Sequence, residues 1–447
     1  MILMVFSGCA AISGGNSINS YETLKEISYA RAAGFDEDAS RIELTNTPTL
    51  SEYLAYAAIN NPELKAAFNQ WKAALEKIPQ VTSLPDPRFT YAYYVENVET
   101  RVGPQRHKLD LSQTFPWFGK LDLLGDVALE EAHIKKQAYE TLKFKLFYTV
   151  KAAYYEYYYL SRSLSITGEN LKLLSYFENV VRTKYESGKA AYADVIKAQV
   201  ELGKLEERLL SLRTMQQPVT ARLNAALNRP IDAPLPQPTA LPEQDIILGD
   251  AEIARQILET NPELKELNLQ IEKVMKSGDL AKKQFYPDVT VGLSYIETGP
   301  SSMPGIRESG KDPVMAMFSI NLPLWRNKYH AAVIETDMLR RSALRKRENR
   351  ENMLSAELTT ALYNFRDAGR KIELFRDTLI PKAHQALNVT QTAFESGVKD
   401  FLSLIDTQRT LLEFELAYEH AFINLATSRA RIEMLIGKDI EELENDE

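Results

Sequence analysis

The sequence predicts a mainly α-helical protein with a small β component of membrane type. It is built as two tandem repeats of long helical hairpins, each with an inserted pair of strands. Three observations predict this. The second half of the chain repeats the first at an offset that grows from about 200 to about 209 residues. Residues 121–186 and 328–395 form long, proline-poor helical stretches at matching places. Four shorter segments alternate apolar and polar residues, the pattern of strands with one apolar face.

The repeat shows in matched residues. Asn61-Pro62-Glu63-Leu64-Lys65 recurs as Asn261-Pro262-Glu263-Leu264-Lys265, and Pro85-Asp86 as Pro287-Asp288. Phe115-Pro116-Trp117 recurs as Leu322-Pro323-Leu324-Trp325, and Tyr185-Glu186-Ser187-Gly188 as Phe394-Glu395-Ser396-Gly397. Gln199 then matches Gln408. On this basis repeat 1 spans residues 47–229 and repeat 2 spans 246–440. A proline-rich linker at 230–245 (Pro230, Pro234, Pro236, Pro238, Pro242) lies between them, because proline cannot continue a helix.

Within repeat 1, Thr49-Leu50-Ser51-Glu52 fits a capping box. It opens a first helix expected to reach about Ile78. Strands are expected at about 86–98 and 105–117. There Phe89, Tyr91, Tyr93 and Val95 alternate with Thr90, Ala92 and Tyr94, and Leu109, Leu111 and Phe115 with Lys108, Asp110 and Ser112. The long helix from about Leu121 to Glu186 would extend roughly 100 Å at 1.5 Å per residue, far too long for a compact globule. Gly188 ends it as a C-cap glycine would, and a second helix is expected over 190–228. Repeat 2 follows the same order, with strands at about 287–298 and 312–324 and a long helix at 328–395 containing Gly369 and Pro381. Gly397 ends that helix, and a last one is expected over 399–436.

Each strand run holds about 9–12 residues, enough for a tilted strand to cross a bilayer. Tyr93, Tyr94, Phe115, Trp117, Phe118 and Trp325 lie at the strand ends, where an interfacial aromatic belt belongs. Four strands cannot close a barrel, and an open sheet would leave two unpaired edges in hydrocarbon. Three copies supply twelve strands, so closure predicts a homotrimer.

Composition and motifs exclude other classes. Hydrophobic residues make up 45% and charged residues 26%, which argues against disorder. A net charge of −8 gives no basic field for nucleic acid. The five histidines show no paired metal-ligand spacing, and there is no P-loop, dinucleotide fingerprint or nucleophile elbow; neither enzyme activity nor a cofactor is expected. The tyrosines at 154, 155, 157, 158 and 159 read as packing between helices, and Met315 and Met317 as strand packing. The single cysteine, Cys9, follows an apolar stretch and two small residues. Residues 1–9 thus resemble the end of a bacterial lipoprotein signal, truncated at its start, with Cys9 as the lipidation site. Residues 10–46 then form an N-terminal tether and 441–447 an acidic tail.

Two helical-hairpin repeats interrupted by strand pairs, with the doubled turns Ser187-Gly188-Lys189-Ala190 and Ser396-Gly397-Val398-Lys399, resemble the TolC family of outer-membrane efflux channels. Phe115-Pro116-Trp117-Phe118-Gly119-Lys120 and Cys9 look most like its CusC/CzcC lipoprotein branch. The resemblance implies a trimer with a twelve-stranded β-barrel in the outer membrane and an α-helical tunnel in the periplasm. It implies a periplasmic adaptor (membrane fusion protein) and an inner-membrane pump of the resistance-nodulation-division or ABC type. Carried onto this chain, adaptor docking falls on Gly188, Lys189, Ala190, Gly397, Val398 and Lys399, and the aperture gate on Asp194, Ser403 and Asp406. Two alternatives remain: an exit duct of the same fold for type I protein secretion, or a soluble coiled-coil scaffold with no pore.

Overall fold

The computed structural model describes residues 20–26, 44, 48–238, 241 and 249–440. Cys9, the 1–9 signal, the 441–447 tail and all of the 10–46 tether except 20–26 and 44 lie outside the described residues, as do 239–240 and 242–248 around the linker. After a helical stretch at 20–26 come α1 (Leu50–Asn60), α2 (Pro62–Leu75), α3 (Lys77–Thr82), β1 (Arg88–Thr100), β2 (Gly103–Phe115), α4 (Lys120–Glu186) and α5 (Tyr192–Ala226). The second repeat supplies α6 (Asp250–Thr260), α7 (Pro262–Lys283), β3 (Val289–Thr298), β4 (Val314–Ile320), α8 (Arg326–Leu374), α9 (Ile380–Glu395) and α10 (Phe401–Ile436).

Two helices expected as continuous are broken. The capping box forms as predicted, with Thr49 Oγ1 accepting from Glu52 N at 3.3 Å and Glu52 Oε2 accepting from Thr49 N at 2.6 Å. The helix it opens stops at Asn60, because Asn61 is extended and Pro62 begins a new helix. Asn61 Oδ1 caps that helix by accepting from Leu64 N at 3.0 Å, and Asn261 Oδ1 does the same for Leu264 N at 2.9 Å. The other ends of the two amides tie down the last helix of each repeat, donating to Ala226 O at 3.3 Å and Leu435 O at 2.7 Å. The long helix of repeat 2 passes through a π turn, Phe375–Leu379. Pro381, which lacks an N–H and whose ring crowds the preceding turn, sits just beyond it.

The chain forms two compact units, and each draws on both sequence repeats. The first comprises Phe68–Gln137 and Lys265–Glu348 with the described residues 20–26. It contains one antiparallel sheet of order β1–β2–β3–β4, so the strand pairs of the two repeats join through β2 and β3. Its helical part includes Trp71, which is fully buried and meets Phe68 edge-on at 5.7 Å, with Leu75 and Ile78 buried just after it and Ala132 buried on α4. Lys273–Glu131 (2.8 Å) and Lys276–Asp126 (3.1 Å) link α7 to α4.

The second unit, made of the described residues within Ala33–Ala67, Ala138–Leu264 and Asn349–Glu447, carries the helical tips. One core cluster joins Leu174, Phe177 and Val181 of α4 to Val195 and Leu205 of α5, Leu387 and Phe394 of α9, and Phe401, Leu404 and Ile405 of α10. Of the tyrosine cluster, Tyr154, Tyr155 and Tyr157 are buried, as interhelical packing requires. Tyr53 packs on Tyr154 at 5.5 Å, and burial, followed by the Tyr154 neighbour, pushes the Tyr53 phenol up to about 12. Linker residues 230–238 are pinned rather than loose. Asn224 Nδ2 donates to Ala233 O at 2.8 Å, and Tyr157 Oη to Leu235 O at 3.0 Å.

Candidate functional site

Register decides what the sheet presents. Phe89, Leu111, Leu293 and Ala316 stand in one cross-strand row, and Tyr91, Leu109, Tyr295 and Val314 in the next. Gln113, Val291 and Phe318 extend the same face. Most of these side chains are exposed: Phe89 is 66% exposed, Tyr91 56%, Leu293 57% and Phe318 71%. A large exposed apolar band is rare in a soluble monomer and marks an interaction surface. The opposite face carries rows such as Thr90–Asp110–Ser294–Met315 and Thr114–Thr290–Ser319. It is polar, with a Lys108–Asp110 pair at 3.1 Å and a Thr114–Thr290 hydroxyl bond at 2.9 Å. Met315 and Met317 lie on this polar face and stay partly exposed, which corrects their reading as packing alone; the Met317 methyl does cover Gly292. Strands β1 and β4 each leave one edge unpaired within the chain.

Where β2 meets α4, a polar elbow fixes the strand to the helix. Asp288 Oδ1 accepts from Trp117 N at 2.9 Å and from Lys120 Nζ at 2.7 Å, and Lys120 also donates to Tyr286 O at 3.0 Å. Lys120 is only 4% exposed, so losing Asp288 would leave a buried cation without its ion-pair partner. The Trp117 ring stacks on Tyr286 at 5.4 Å, and Asp288 N donates to Asn321 Oδ1. The repeated Pro-Asp pair is legible in sequence, but its partner across the repeats is not.

In the second unit, both helix-to-helix turns are Schellman motifs. Gly188 N donates to Tyr185 O (2.9 Å) and Lys189 N to Lys184 O (2.7 Å); Gly397 N donates to Phe394 O (3.1 Å) and Val398 N to Ala393 O (2.8 Å). An aromatic pair brackets each turn, Tyr185–Tyr192 at 5.3 Å and Phe394–Phe401 at 5.5 Å. The Phe pair is buried, whereas Tyr185 and Tyr192 are exposed. Lys184, which sequence reasoning missed, reaches across to α9. Its ammonium donates to Phe394 O and to Glu395 O (2.9 Å), where the negative end of a helix favours a cation. Gly188, Lys189, Gly397, Val398 and Lys399 are exposed, and Ala190 is half-buried against the core cluster.

The expected gate residues do not share one environment. Asp194 pairs with Lys197 at 3.5 Å on its own helix. Ser403 gives its hydroxyl and its N–H to Asp400, at 2.5 and 3.0 Å, in an N-cap of α10. That hydroxyl bond, then the N–H, hold the Asp400 carboxyl below its ordinary range. Asp406 is the exposed member, 3.4 Å from Arg409. Arg409 was not foreseen; it forks onto Glu201 of α5, with Nε at 3.0 Å from Oε2, and so links α5 to α10. Burial works to raise the Glu201 carboxyl, but the bonds from Arg409 and Lys204 outweigh it and hold it below the usual carboxylate range. The only hint in sequence was a broken match: the residue after the repeated glutamine is Val200 in one repeat and Arg409 in the other.

Among the described residues, no three His, Cys, Asp or Glu side chains converge to hold a metal ion, and no helix is long and apolar enough to cross a membrane.

The family model for outer membrane efflux proteins matches residues 54–229 and 253–438. The toluene efflux pump outer membrane protein TtgF of Pseudomonas putida is 20% identical over 404 residues, covering 87% of this chain and 83% of TtgF. The cobalt-zinc-cadmium resistance protein CzcC of Cupriavidus metallidurans is 23% identical over 259 residues, 56% of this chain and 58% of CzcC. The solved structure of the outer membrane protein VceC from Vibrio cholerae aligns with a TM-score of 0.70 at 16% identity, covering 88% of this chain and 96% of VceC.

Proposed function

The chain belongs to the outer membrane efflux protein family, and from that premise we propose how its sheet and its helical tips work. It is the outer-membrane component of a tripartite efflux system, a channel and not an enzyme. It takes substrate through an adaptor from an inner-membrane pump, which supplies the energy. The observation that carries the channel reading is the sheet with an exposed apolar face, a polar opposite face and two unpaired edges. Such a sheet is tenable in hydrocarbon only when copies close it into a barrel. In our reading three copies do so, with the Phe89–Leu111–Leu293 face toward lipid and the Asp110–Ser294 face toward the lumen. A soluble scaffold would bury the apolar side chains that are exposed here. The efflux names of the relatives support export of small solutes over protein secretion.

At the tips, the two Schellman turns present Gly188, Lys189, Ala190, Gly397, Val398 and Lys399 to the adaptor. The gate centres on Asp406, with Arg409 and Glu201 as the latch that holds α10 to α5. Three Asp406 carboxylates around a threefold axis favour cations, and the three Arg409 side chains temper that preference. Asp194 and Ser403 act locally, on an ion pair and a helix cap. Cys9 carries the lipid that anchors the chain, and the mass of the mature protein tests this. Conductance in planar bilayers tests the channel. Wild type should give small, cation-selective openings, and Asp406→Ala should enlarge them or lose selectivity. Identical steps would keep the channel and remove the gate, and well-folded trimers without conductance would overturn the channel.

A further inference from the structure

In the second unit, α4, α8 and α10 line a cavity of about 990 Å³, large enough for a drug-sized molecule. Its sides carry the rings of Tyr148 and Tyr159 from α4 and of Phe375 from the π turn, a departure from the α pattern that often marks functional positions. Its floor is α10, where Ala417, Ala421 and Asn424 give room. The doubling of the chain shows where that room comes from. Gln408 matches Gln199, and at the same offset the three floor positions are Arg208, Leu212 and Met215 in repeat 1. The space is therefore made by this repeat's own residues and not by the hairpin as such. Four charged residues line it, and each is paired with another of the four: Arg431 with Glu357 at 2.6 Å, and Lys371 with Asp367 at 2.7 Å. Arg431 also lies over the Tyr148 ring, 5.5 Å from its centre. His420 meets Tyr159 edge-on at 5.6 Å, with its Nδ1 3.1 Å from the Asn424 amide. The four charges balance, so an ion entering the cavity would lose water and gain no unpaired counter-charge.

We propose that this cavity binds an uncharged aromatic molecule, and that it opens toward the path of solutes through the channel. The ligand class follows from the lining: three rings that can stack edge-on or offset, amides and hydroxyls to orient a polar group, and charges that cancel. The direction follows from α4. There Tyr154 packs on Tyr53 of α1, and Tyr157 holds the linker through Leu235 O. At about 100° per residue, both lie at least about 120° around the helix from Tyr148 and Tyr159. The cavity therefore opens on the side of α4 away from α1 and the linker. This second half of the proposal rests on the channel reading: segments packed against the wall of a duct would block it unless they lay outside, so the opposite side is the inner one. Weak binding suits such a place, because a solute must leave as readily as it enters.

Fluorine NMR with 4-fluorobenzyl alcohol as the probe tests the site, and 4-fluorobenzoate and 4-fluorobenzylammonium serve as its charged analogues. Purified protein in detergent should broaden the probe's line saturably and beyond the effect of empty micelles. Both analogues should bind at least about tenfold more weakly. Ala417→Arg/Asn424→Met, which installs the residues of repeat 1, and Tyr159→Leu, which removes a ring, should each weaken binding of the probe by a similar factor. Tyr159→Leu decides alone if the double variant does not fold. Affinity kept in the variants, or matched by either charged analogue, overturns the site. In planar bilayers, saturating probe should lower the conductance of wild type and leave that of the double variant unmoved. Binding with unchanged wild-type conductance keeps the site and overturns its inward opening. Protein that binds the probe but never conducts overturns the channel reading and leaves the site standing.

Discussion

Gly188 and Gly397 hold φ at +72° and +82°, in the left-handed region, and a Cβ on either would meet nothing within 4 Å. Their constraint is therefore backbone alone. Gly397→Ala should destabilise the tip by about 1 kcal/mol, read by thermal melting, without changing what packs around it. Arg409 is a different case, because it answers a carboxylate that is mostly shielded from water. Arg409→Gln leaves Glu201 with Lys204 as its remaining partner, and should loosen α5 from α10, seen as faster amide exchange there and larger channel openings. The pH dependence has a definite sign. Glu201 is held below its ordinary range in the folded state, so its pairing stabilises the latch above the unfolded carboxylate pKa, near 4.3. That contribution fades as pH falls through the depressed value. The latch should hold at neutral pH and weaken in wild type as pH falls below the unfolded carboxylate value toward the depressed one. In Arg409→Gln the same acid step should shrink to the part that Lys204 supplies.

At the scale of elements, the Asn-Pro dipeptide that opens α2 and α7 has two tasks, a cap and a tie to the repeat's last helix. Asn261 is 3% exposed, so Asn261→Ala also strands the Leu435 carbonyl. It should cost about 1–2 kcal/mol, more than Asn61→Ala, in denaturant titrations of the two variants. The strands make a stronger prediction because their faces differ. Leu293→Arg places a charge on the exposed apolar face and should cost about 2–4 kcal/mol of stability in lipid. Ser319→Arg lies on the polar face and should fold as wild type while shifting ion selectivity toward anions. Equal effects of the two substitutions would contradict the assignment of faces. The π turn at Phe375–Leu379 shows how an element departs from its pattern, since Pro381 removes a donor that a continuous α-helix requires.

At the scale of the whole molecule, sequence repeat and folding unit are not the same object. Each compact unit takes segments from both repeats, because β2 pairs with β3 and α4 and α5 pack with α9 and α10. In the proposed trimer, the strand edges left open within the chain are closed by neighbouring copies. That arrangement predicts cooperative assembly. Trimer dissociation and loss of the sheet should coincide in one transition, followed together by sedimentation and circular dichroism. Sheet retained in isolated monomers in detergent would show instead that four strands suffice.

The amino-acid order by itself determined where helix and strand alternate, the capping box and the two glycine turns, because each depends on neighbours a few residues away, while the breaks at Asn61 and Phe375–Leu379 came only with the structure. The Asn-Pro, Pro-Asp and Ser-Gly matches also made the doubling legible without coordinates. Only the tertiary structure decided which carboxylate answers Lys120, that Lys184 seals the end of α9, and that Arg409 and Glu201 form the link beside Asp406. Those partners lie far apart in sequence, at separations where many charged residues compete and periodicity carries no information. Direction in space chose among them. It also gave Ser403 to a cap and left Asp406 exposed, although both stand in the same helical turn.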